Sequence, residues 1–290
     1  DCRRCDAHMT LHRKPFHLHC HHCDSQRPVP AQCDSCGSTE LKPVGAGTER
    51  TEEALKKLFP KFPVIRVDRD TTQRKHAMQQ IMDRVHQGNP CILVGTQMLA
   101  KGHHFPKVTL VAILNADSGL FSADFRGMER TAQLILQVAG RAGRAEHPGK
   151  VVMQTHHADH PVINSLVNEG YEAFADQELN QRHGAQLPPL IHCAMLRAEA
   201  NHQGRAERFL ANLRNMLQED ILQPGGIQWL GPLPSPMEKR AGQFRAQLVL
   251  QSANRKALHL QLQNLTRIID SDPESRKVRW SIDVDPVDMF

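Results

Sequence analysis

Six cysteines in the first 36 residues form three pairs, each with two residues between its members. The pairs are Cys2 with Cys5, Cys20 with Cys23, and Cys33 with Cys36. This spacing lets both sulfurs of a pair reach one ion from a tight turn, and two such pairs complete a tetrahedral thiolate site. A redox C-x-x-C usually occurs singly, beside a thioredoxin-like βαβ pattern that this stretch lacks. The cysteines therefore predict structural zinc.

The supply of thiolates in this stretch does not complete two such sites, because each needs four ligands and six cysteines are present. Either histidines complete the second site or a further pair lies before Asp1. The nearby histidines are His8, His12, His17, His19, His21 and His22. We interpret them mainly as surface groups or as groups that support the ligands. The spacing from Cys5 to Cys20 suits one site built from the first two pairs, which leaves Cys33 and Cys36 as half a site.

A second stretch, "QVAGRAGR" at 137–144, places two arginines three positions apart at the end of a predicted helix. Gly140 and Gly143 loosen the backbone there, so Arg141 and Arg144 can face one cleft. Guanidinium groups make forked hydrogen bonds and stay charged, which suits a γ-phosphoryl group in transfer. Arginine fingers are worth about 10³ to 10⁵ in rate. A solvated arginine face is the alternative, and it would be favoured if this motif stood alone.

A third stretch, "VGTQMLAKGHHFP", places Gly95, Thr96 and Gln97 at the carboxyl end of a predicted strand. Ligands of open α/β sheets bind at that end. Backbone amides and the Thr96 hydroxyl suit a nucleic-acid phosphate.

The predicted order of strands and helices, which must position these residues, changes along the chain. From 45 to 187, short apolar strands alternate with helices, which predicts a parallel sheet covered on both faces. From 188 to 290, the order is βαββαβ, which predicts a ferredoxin-like α+β domain. We therefore predict three parts: a zinc-knuckle module at 1–44, an α/β lobe at 45–187 and the ferredoxin-like domain at 188–290.

The chain has 290 residues and a net charge of +5. That length allows two domains with cores of their own, and the charge is compatible with a nucleic-acid partner. No apolar run approaches the roughly 18 residues of a membrane span, and the N-terminus has no hydrophobic signal core. We expect a cytoplasmic protein without a membrane partner. Because Asp1 already lies inside a cysteine motif, we interpret the sequence as a piece of a longer protein.

The stretches "VGTQMLAKGHHFP" and "QVAGRAGR" together resemble motifs V and VI of superfamily 2 helicases, in the second of their two RecA-like lobes. With the cysteine pairs and the stretches "GAGTERTEEAL", "VDRDTT", "FSADFRGMER" and "SRKVRWSIDVDP", the whole chain resembles the C-terminal part of the PriA family of replication-restart helicases. One departure is His104, where many family members carry Asp.

The resemblance implies an ATP-dependent 3′ to 5′ DNA helicase that recognises stalled or abandoned forks and reloads the replicative helicase. It implies zinc as the cofactor and ATP with Mg as the substrate. The partners that it implies are forked and single-stranded DNA, single-strand DNA-binding protein, other primosome proteins and the replicative helicase loader. Four cysteine pairs bind two zinc ions in that family, the inner pairs one ion and the outer pairs the other. By matching order, Cys2, Cys5, Cys20 and Cys23 form one site, and Cys33 with Cys36 needs a pair before Asp1. Matching motifs assign Arg141 and Arg144 to catalysis, Gln137, Gly140, Lys101 and Gly102 to the nucleotide, and Gly95, Thr96 and Gln97 to DNA.

Neither a G-x-x-x-x-G-K-[ST] loop nor a D-E-x-H box occurs in the sequence. Half of an ATP site is therefore missing, and we expect this chain alone not to hydrolyse ATP. The alternative function is a zinc-ribbon nucleic-acid-binding or scaffold protein without motor activity. The upstream coding sequence distinguishes the two, because a motor requires both motifs there.

The stretch "EKRAGQFRAQ" at 238–247 gathers three cations, Lys239, Arg240 and Arg245, around Phe244 in a predicted hairpin. One interpretation is a solvated hairpin tip. The other is a surface for a DNA backbone, or for the acidic tail of single-strand DNA-binding protein.

Overall fold

The computed structural model describes residues 1–13, 15–41, 47–72, 76–96, 107–122, 124–140, 149–218 and 226–289. Contacts group the chain into two compact units, residues 44–179 and residues 1–43 together with 180–290. The three-part division after residues 44 and 187 stays a prediction.

The cysteine-rich module is a small antiparallel sheet of β1 (Thr10–Arg13), β2 (Phe16–His19) and β3 (Gln26–Arg27), in that order. In the β1–β2 pair, Leu11 lies opposite Leu18. The first cysteine pair precedes β1 and the second lies in the turn between β2 and β3. Such short strands bury too little apolar surface to fold alone, so this module needs the cysteine site.

The unit at 44–179 has the alternating order that the sequence predicts. Its elements are α1 (Thr48–Leu58), β4 (Val64–Val67), α2 (Arg69–Thr72), α3 (Ala77–His86), β5 (Ile92–Gly95), β6 (Leu110–Ile113), α4 (Asp117–Leu120), α5 (Gly127–Ala139), β7 (Lys150–Met153), α6 (Pro161–Asn168) and the start of α7 (Tyr171–Gly184). The pairs β4–β5 and β6–β7 are both parallel. A core of Ala132, Ile135, Val162, Ile163, Leu166 and Phe174 joins α5, α6 and α7. The α/β lobe with parallel strands is confirmed.

The C-terminal domain consists of β8 (His192–Ala200), α8 (Arg205–Gln218), β9 (Gln228–Arg240), β10 (Gln243–Ser252), α9 (Arg255–Ser271), a 3-10 turn (Pro273–Lys277) and β11 (Arg279–Val284). The strands lie in the order β11-β8-β10-β9, and each neighbouring pair is antiparallel. This order, with its two crossing helices, is the ferredoxin-like arrangement, which confirms the prediction.

The two faces of β8 belong to two different buried clusters, and only one of these clusters includes the helices α8 and α9. Alternate residues Ala194, Leu196 and Ala198 are buried in the main core with α8 and α9. On the opposite face of β8, Cys193 and Met195 are buried in a separate cluster with Val249 of β10. This period of two is what a strand covered on both faces requires.

Across the ranges described above, no helix combines the length and apolar character needed to span a membrane.

Candidate functional site

The first two cysteine pairs converge on one point. The four sulfur atoms of Cys2, Cys5, Cys20 and Cys23 all lie within 4.8 Å of one another, and those of Cys2 and Cys23 are 3.7 Å apart. A Zn–S bond of about 2.3 Å in a tetrahedron places two sulfurs about 3.8 Å apart. Three of the four cysteines are buried and Cys23 is half-buried. The four thiols therefore form a zinc-site-like cluster of the size and shape that one tetrahedral ion needs.

The pKa values of three of these thiols, Cys2, Cys5 and Cys23, are shifted in different directions. Burial raises the pKa of Cys5 to about 12, and burial also raises the pKa of Cys23. Burial acts in the same direction on Cys2, but hydrogen bonds from the Arg4 backbone and from the neighbouring thiols outweigh it and lower the pKa to about 7. The Cys2 thiol thus loses its proton more readily than the thiols of Cys5 and Cys23, whose protons an incoming ion must displace.

The third pair forms the same turn without joining the cluster. At Cys20, the backbone N–H donates to Ser25 and the carbonyl accepts from Asp24, each at 2.9 Å. Cys33 repeats this pattern, donating to Ser38 at 2.8 Å and accepting from Gly37 at 2.9 Å. Backbone N–H groups of Cys36 and Ser35 lower the pKa of the Cys33 thiol. Cys33 and Cys36 therefore lie in a turn of the same shape, outside the four-thiol cluster.

The residues predicted for nucleotide and DNA lie at the ends of regular elements where they are described. Gln137 is exposed on α5, and Gly140 follows the last residue of that helix. Gly95 ends β5, and both it and Thr96 are exposed at the carboxyl edge of the parallel pair. Gln97, Lys101, Gly102, His104, Arg141 and Arg144 lie outside the described residues.

A residue that the sequence argument missed lies at the same carboxyl edge. Val67 pairs with Gly95, so Asp68 follows β4 where Thr96 follows β5. The buried Asp68 carboxylate accepts from the Thr48 hydroxyl at 2.7 Å and from the Thr71 backbone N–H at 2.9 Å. The only sequence signal for Asp68 is its place within "VDRDTT". That stretch supports the family resemblance, but the resemblance assigns no role to its residues.

Three family models match consecutive parts of the chain. Residues 2–28 match the PriA DNA helicase Cys-rich region, residues 44–146 match the helicase conserved C-terminal domain, and residues 183–287 match the primosomal protein N C-terminal domain. The Replication restart protein PriA of Haemophilus influenzae is 48% identical over 288 residues, 99% of this chain. The chain belongs to the PriA family.

The similarity to PriA extends across distant bacteria. The PriA proteins of Bacillus subtilis and of Synechocystis are each 37% identical, over 100% and 99% of this chain. The chain spans less than half of these relatives, covering 39%, 36% and 34% of the Haemophilus, Bacillus and Synechocystis proteins.

The Cys-rich region of this PriA-family chain is docked on the hairpin that joins β9 to β10. The Ala241 backbone N–H donates to Sγ of Cys5 at 3.2 Å, and the Gly242 N–H donates to the Arg4 carbonyl at 2.8 Å. Asp6 and Lys239 exchange two further bonds, at 2.6 and 2.8 Å. A hydrogen bond to a metal ligand orients it and tunes its basicity. The ferredoxin-like domain thus contributes directly to the surroundings of the thiol cluster.

This docking places the three hairpin cations differently. Arg240 is exposed. Lys239 is half-buried, with Nζ 3.3 Å from the Arg3 carbonyl and 5.5 Å from the centre of the Phe244 ring. Arg245 is buried, and its Nε lies 3.2 Å from a carboxylate oxygen of Glu199. Among the three, Arg240 offers its charge to solvent and Arg245 has a partner inside the fold.

Proposed function

We propose that the full-length protein carrying this chain is an ATP-dependent 3′ to 5′ DNA helicase that recognises stalled or abandoned replication forks and restarts replication by primosome assembly. The observation that supports this most strongly is the order of three matches along one chain: Cys-rich region, helicase C-terminal lobe and primosomal C-terminal domain. A general helicase requires the second alone. The near-complete coverage of this chain by Replication restart protein PriA sequences supports the same conclusion.

ATP with Mg is the proposed substrate, and the end of α5 carries the proposed contacts. Gln137 is exposed two residues before α5 ends at Ala139, and Gly140, Arg141 and Arg144 follow it in the sequence. In this proposal Gln137 and Gly140, with Lys101 and Gly102, face the nucleotide. The two arginines stabilise the charge that develops on the γ-phosphoryl group. The phosphate-binding loop and acidic box belong to the other lobe, so we propose that this chain alone is inactive.

The test of this role is Arg144→Ala in the full-length protein. DNA-stimulated ATP hydrolysis should fall by about 10³-fold or more, because loss of an arginine finger costs about 10³ to 10⁵ in rate. Binding of forked DNA should stay within a few-fold, because the guanidinium acts on the reacting phosphate. Steady-state ATPase rates and fluorescence anisotropy with forked DNA measure the two quantities.

Arg84→Ala is the matched control, since Arg84 is an exposed arginine on α3 of the same unit. It should leave hydrolysis unchanged. A normal turnover rate in Arg144→Ala would remove that residue from the catalytic role. Loss of hydrolysis in both variants would indicate damage to the lobe instead.

We place the DNA path at the carboxyl edge of β5, where Gly95, Thr96 and Gln97 supply backbone amides and a hydroxyl for a phosphate. The hairpin adds a second contact. Arg240 is the proposed phosphate partner there because it is exposed, with Lys239 beside it. Arg245 is the third cation proposed for this contact, and its ion pair with Glu199 favours a supporting role.

Arg240→Ala tests the hairpin. Binding of single-stranded DNA should weaken, and the slope of log affinity against log salt should fall by about one, as loss of one phosphate contact predicts. Arg276→Ala, which removes another exposed arginine of the same domain, should change neither. The same variants should be titrated with the acidic tail of single-strand DNA-binding protein. If neither ligand responds to Arg240→Ala, the hairpin serves only to dock the Cys-rich module.

The remaining proposals concern metal and partners. Two zinc ions are proposed for the full-length protein, the second held by Cys33 and Cys36 with a further pair. Single-strand DNA-binding protein, other primosome proteins and the replicative helicase loader are the proposed partners. We place the protein in the bacterial cytoplasm, with the nucleoid.

A further inference from the structure

Three imidazoles lie on one face of the β1–β2 hairpin. His12 of β1 lies directly opposite His17 of β2, and Thr10 lies opposite His19. Because alternate residues of a strand share a face, His12, His17 and His19 project to the same side. His21, in the turn after β2, brings its ring against this set. Ring centroids of His19 and His21 are 4.6 Å apart, and those of His12 and His21 are 5.4 Å apart.

The nitrogen atoms of His12, His19 and His21 converge as metal ligands do. One ring nitrogen from each of these residues lies within 4.8 Å of the other two. The Nε2 atoms of His12 and His21 are 3.4 Å apart. A tetrahedral ion with Zn–N bonds of about 2.0 to 2.1 Å holds its nitrogen ligands about 3.3 Å apart. The separation of these two atoms is therefore that of two ligands on one ion.

A packed group of histidines joined only by hydrogen bonds is the competing explanation, and His19 argues against it. Its Nε2 atom is buried and has no hydrogen-bond partner in the part of the chain that the structure describes. Oδ1 of Asp24 lies 3.4 Å from that atom. That carboxylate faces the same nitrogen, so it places a negative charge beside the point where a cation would bind. His17 differs, because its Nδ1 bonds the Pro15 carbonyl at 2.7 Å and it stands outside the converging group.

We propose that His12, His19 and His21 form a further metal site, separate in its ligands from the four cysteines. Three neutral imidazoles suit a divalent late first-row ion such as Zn²⁺, Co²⁺ or Ni²⁺. Asp24 adds a negative charge beside His19 from outside the converging group. Three protein ligands leave one coordination position open, so this ion exchanges more readily than one enclosed by four thiolates.

Cobalt(II) titration of the zinc-loaded 290-residue chain tests the site. One equivalent of Co²⁺ should bind saturably and give visible d–d absorption without the near-ultraviolet thiolate charge-transfer bands of a cysteine site. The zinc already held by the cysteines should remain bound, which also reports that the module stays folded. The full-length protein should give the same spectrum.

The variants separate a built site from adventitious binding. His12→Gln and His21→Gln should each weaken Co²⁺ binding by about 100-fold or more, since loss of even a supporting group costs about 10- to 100-fold. Asp24→Asn should weaken binding less, because it removes only a nearby negative charge. The control is His8→Gln with His22→Gln, which removes two imidazoles of the same module that lie outside the group. It should bind Co²⁺ normally. Absence of a saturable second ion, or equal weakening in the control, would overturn the proposal and leave only an adventitious ion.

Discussion

The Asp68 carboxylate stabilises the carboxyl end of β4 through hydrogen bonds to Thr48 and Thr71. Burial raises its pKa, but the Thr71 backbone N–H, the Thr48 hydroxyl and the charge of Arg66 outweigh burial and lower it. Nε of Arg66 lies 3.2 Å from the carboxylate. Through these bonds Asp68 joins the first residue of α1 to the end of β4, beside the edge where Thr96 is exposed.

Asp68→Asn should destabilise the α/β unit by about 1 to 3 kcal/mol at pH 7, the range for hydrogen bonds to a charged group. A depressed native pKa contributes stability above the unfolded pKa of about 3.9, and that contribution is lost as pH falls through the native value. The difference between wild type and variant should therefore shrink below about pH 4. Urea unfolding at pH 7 and at low pH measures it.

Asp83→Asn is the control, because Asp83 is an exposed carboxylate on α3 that accepts from Gln79. It should change stability little at either pH. An Asp68→Asn difference that stayed constant with pH would mean that the charge of the carboxylate is not what stabilises the edge.

At the scale of an element, the two-residue turn between β9 and β10 serves both the sheet and the cysteine cluster. Arg240 pairs with Gln243, so Ala241 and Gly242 form the whole turn. Their φ angles are 52° and 87°, and a tight hairpin turn with both central residues at positive φ matches the twist of the strands. The same conformation aims the Ala241 N–H at Cys5 and the Gly242 N–H at the Arg4 carbonyl.

Gly242→Ala should cost about 1 to 2 kcal/mol, because a side chain disfavours the left-handed region. A Cβ there meets no atom within 4 Å, so the cost comes from the backbone. As the turn shifts, the bond to Cys5 weakens, and zinc should be lost to a chelator about 10-fold faster. Thermal unfolding and zinc release to a colorimetric chelator measure the two effects.

Gly226→Ala carries a similar backbone cost, since Gly226 has φ 61° and equally open surroundings. It lies before β9, away from the turn in sequence, and should leave zinc release unchanged. If both variants release zinc alike, the turn has no specific influence on the cluster.

At the scale of the molecule, the Cys-rich module and the ferredoxin-like domain form one compact unit although residues 44–179 separate them in sequence. Their contacts include backbone bonds between Asp6 and Lys239 and between Arg4 and Gly242. A metal ion bound by the four cysteines would therefore stabilise a module that packs against the C-terminal domain.

The 290-residue chain should hold one chelator-resistant zinc ion. Cys20→Ser should remove that ion and unfold the module, because structural zinc contributes on the order of 10 kcal/mol to local folding. The α/β unit should melt as before. Metal analysis by mass spectrometry and thermal unfolding give the two readings.

Cys91→Ser is the control, since Cys91 stands outside the cluster, and it should keep the ion. A Cys33→Ser, Cys36→Ser double variant should keep it too. Two equally chelator-resistant ions in the unchanged chain, one of them lost from this double variant, would contradict the view that Cys33 and Cys36 are half a site.

The sequence alone determined the features whose signals are local. Each pair of cysteines separated by two residues forms a metal-binding turn of about six residues. Two such turns therefore predicted the cluster of Cys2, Cys5, Cys20 and Cys23. Strands alternating with helices, and then the βαββαβ order, determined the two fold types. The cysteine turns, the strands and the helices all depend on the spacing of residue types along the chain, because local backbone geometry determines which residues share a turn or a face.

The tertiary structure decided which distant groups meet. Arg245 and Glu199 are 46 positions apart and pair only because β10 lies beside β8. Ala241 reaches Cys5 across 236 positions, and no local pattern encodes that approach. The histidines of the hairpin looked like surface groups in the sequence, because the register that places His12 opposite His17 is a property of paired strands. Spacing along a chain predicts which residues can act together within a turn, whereas strand pairing and docking decide which of them do so across the fold.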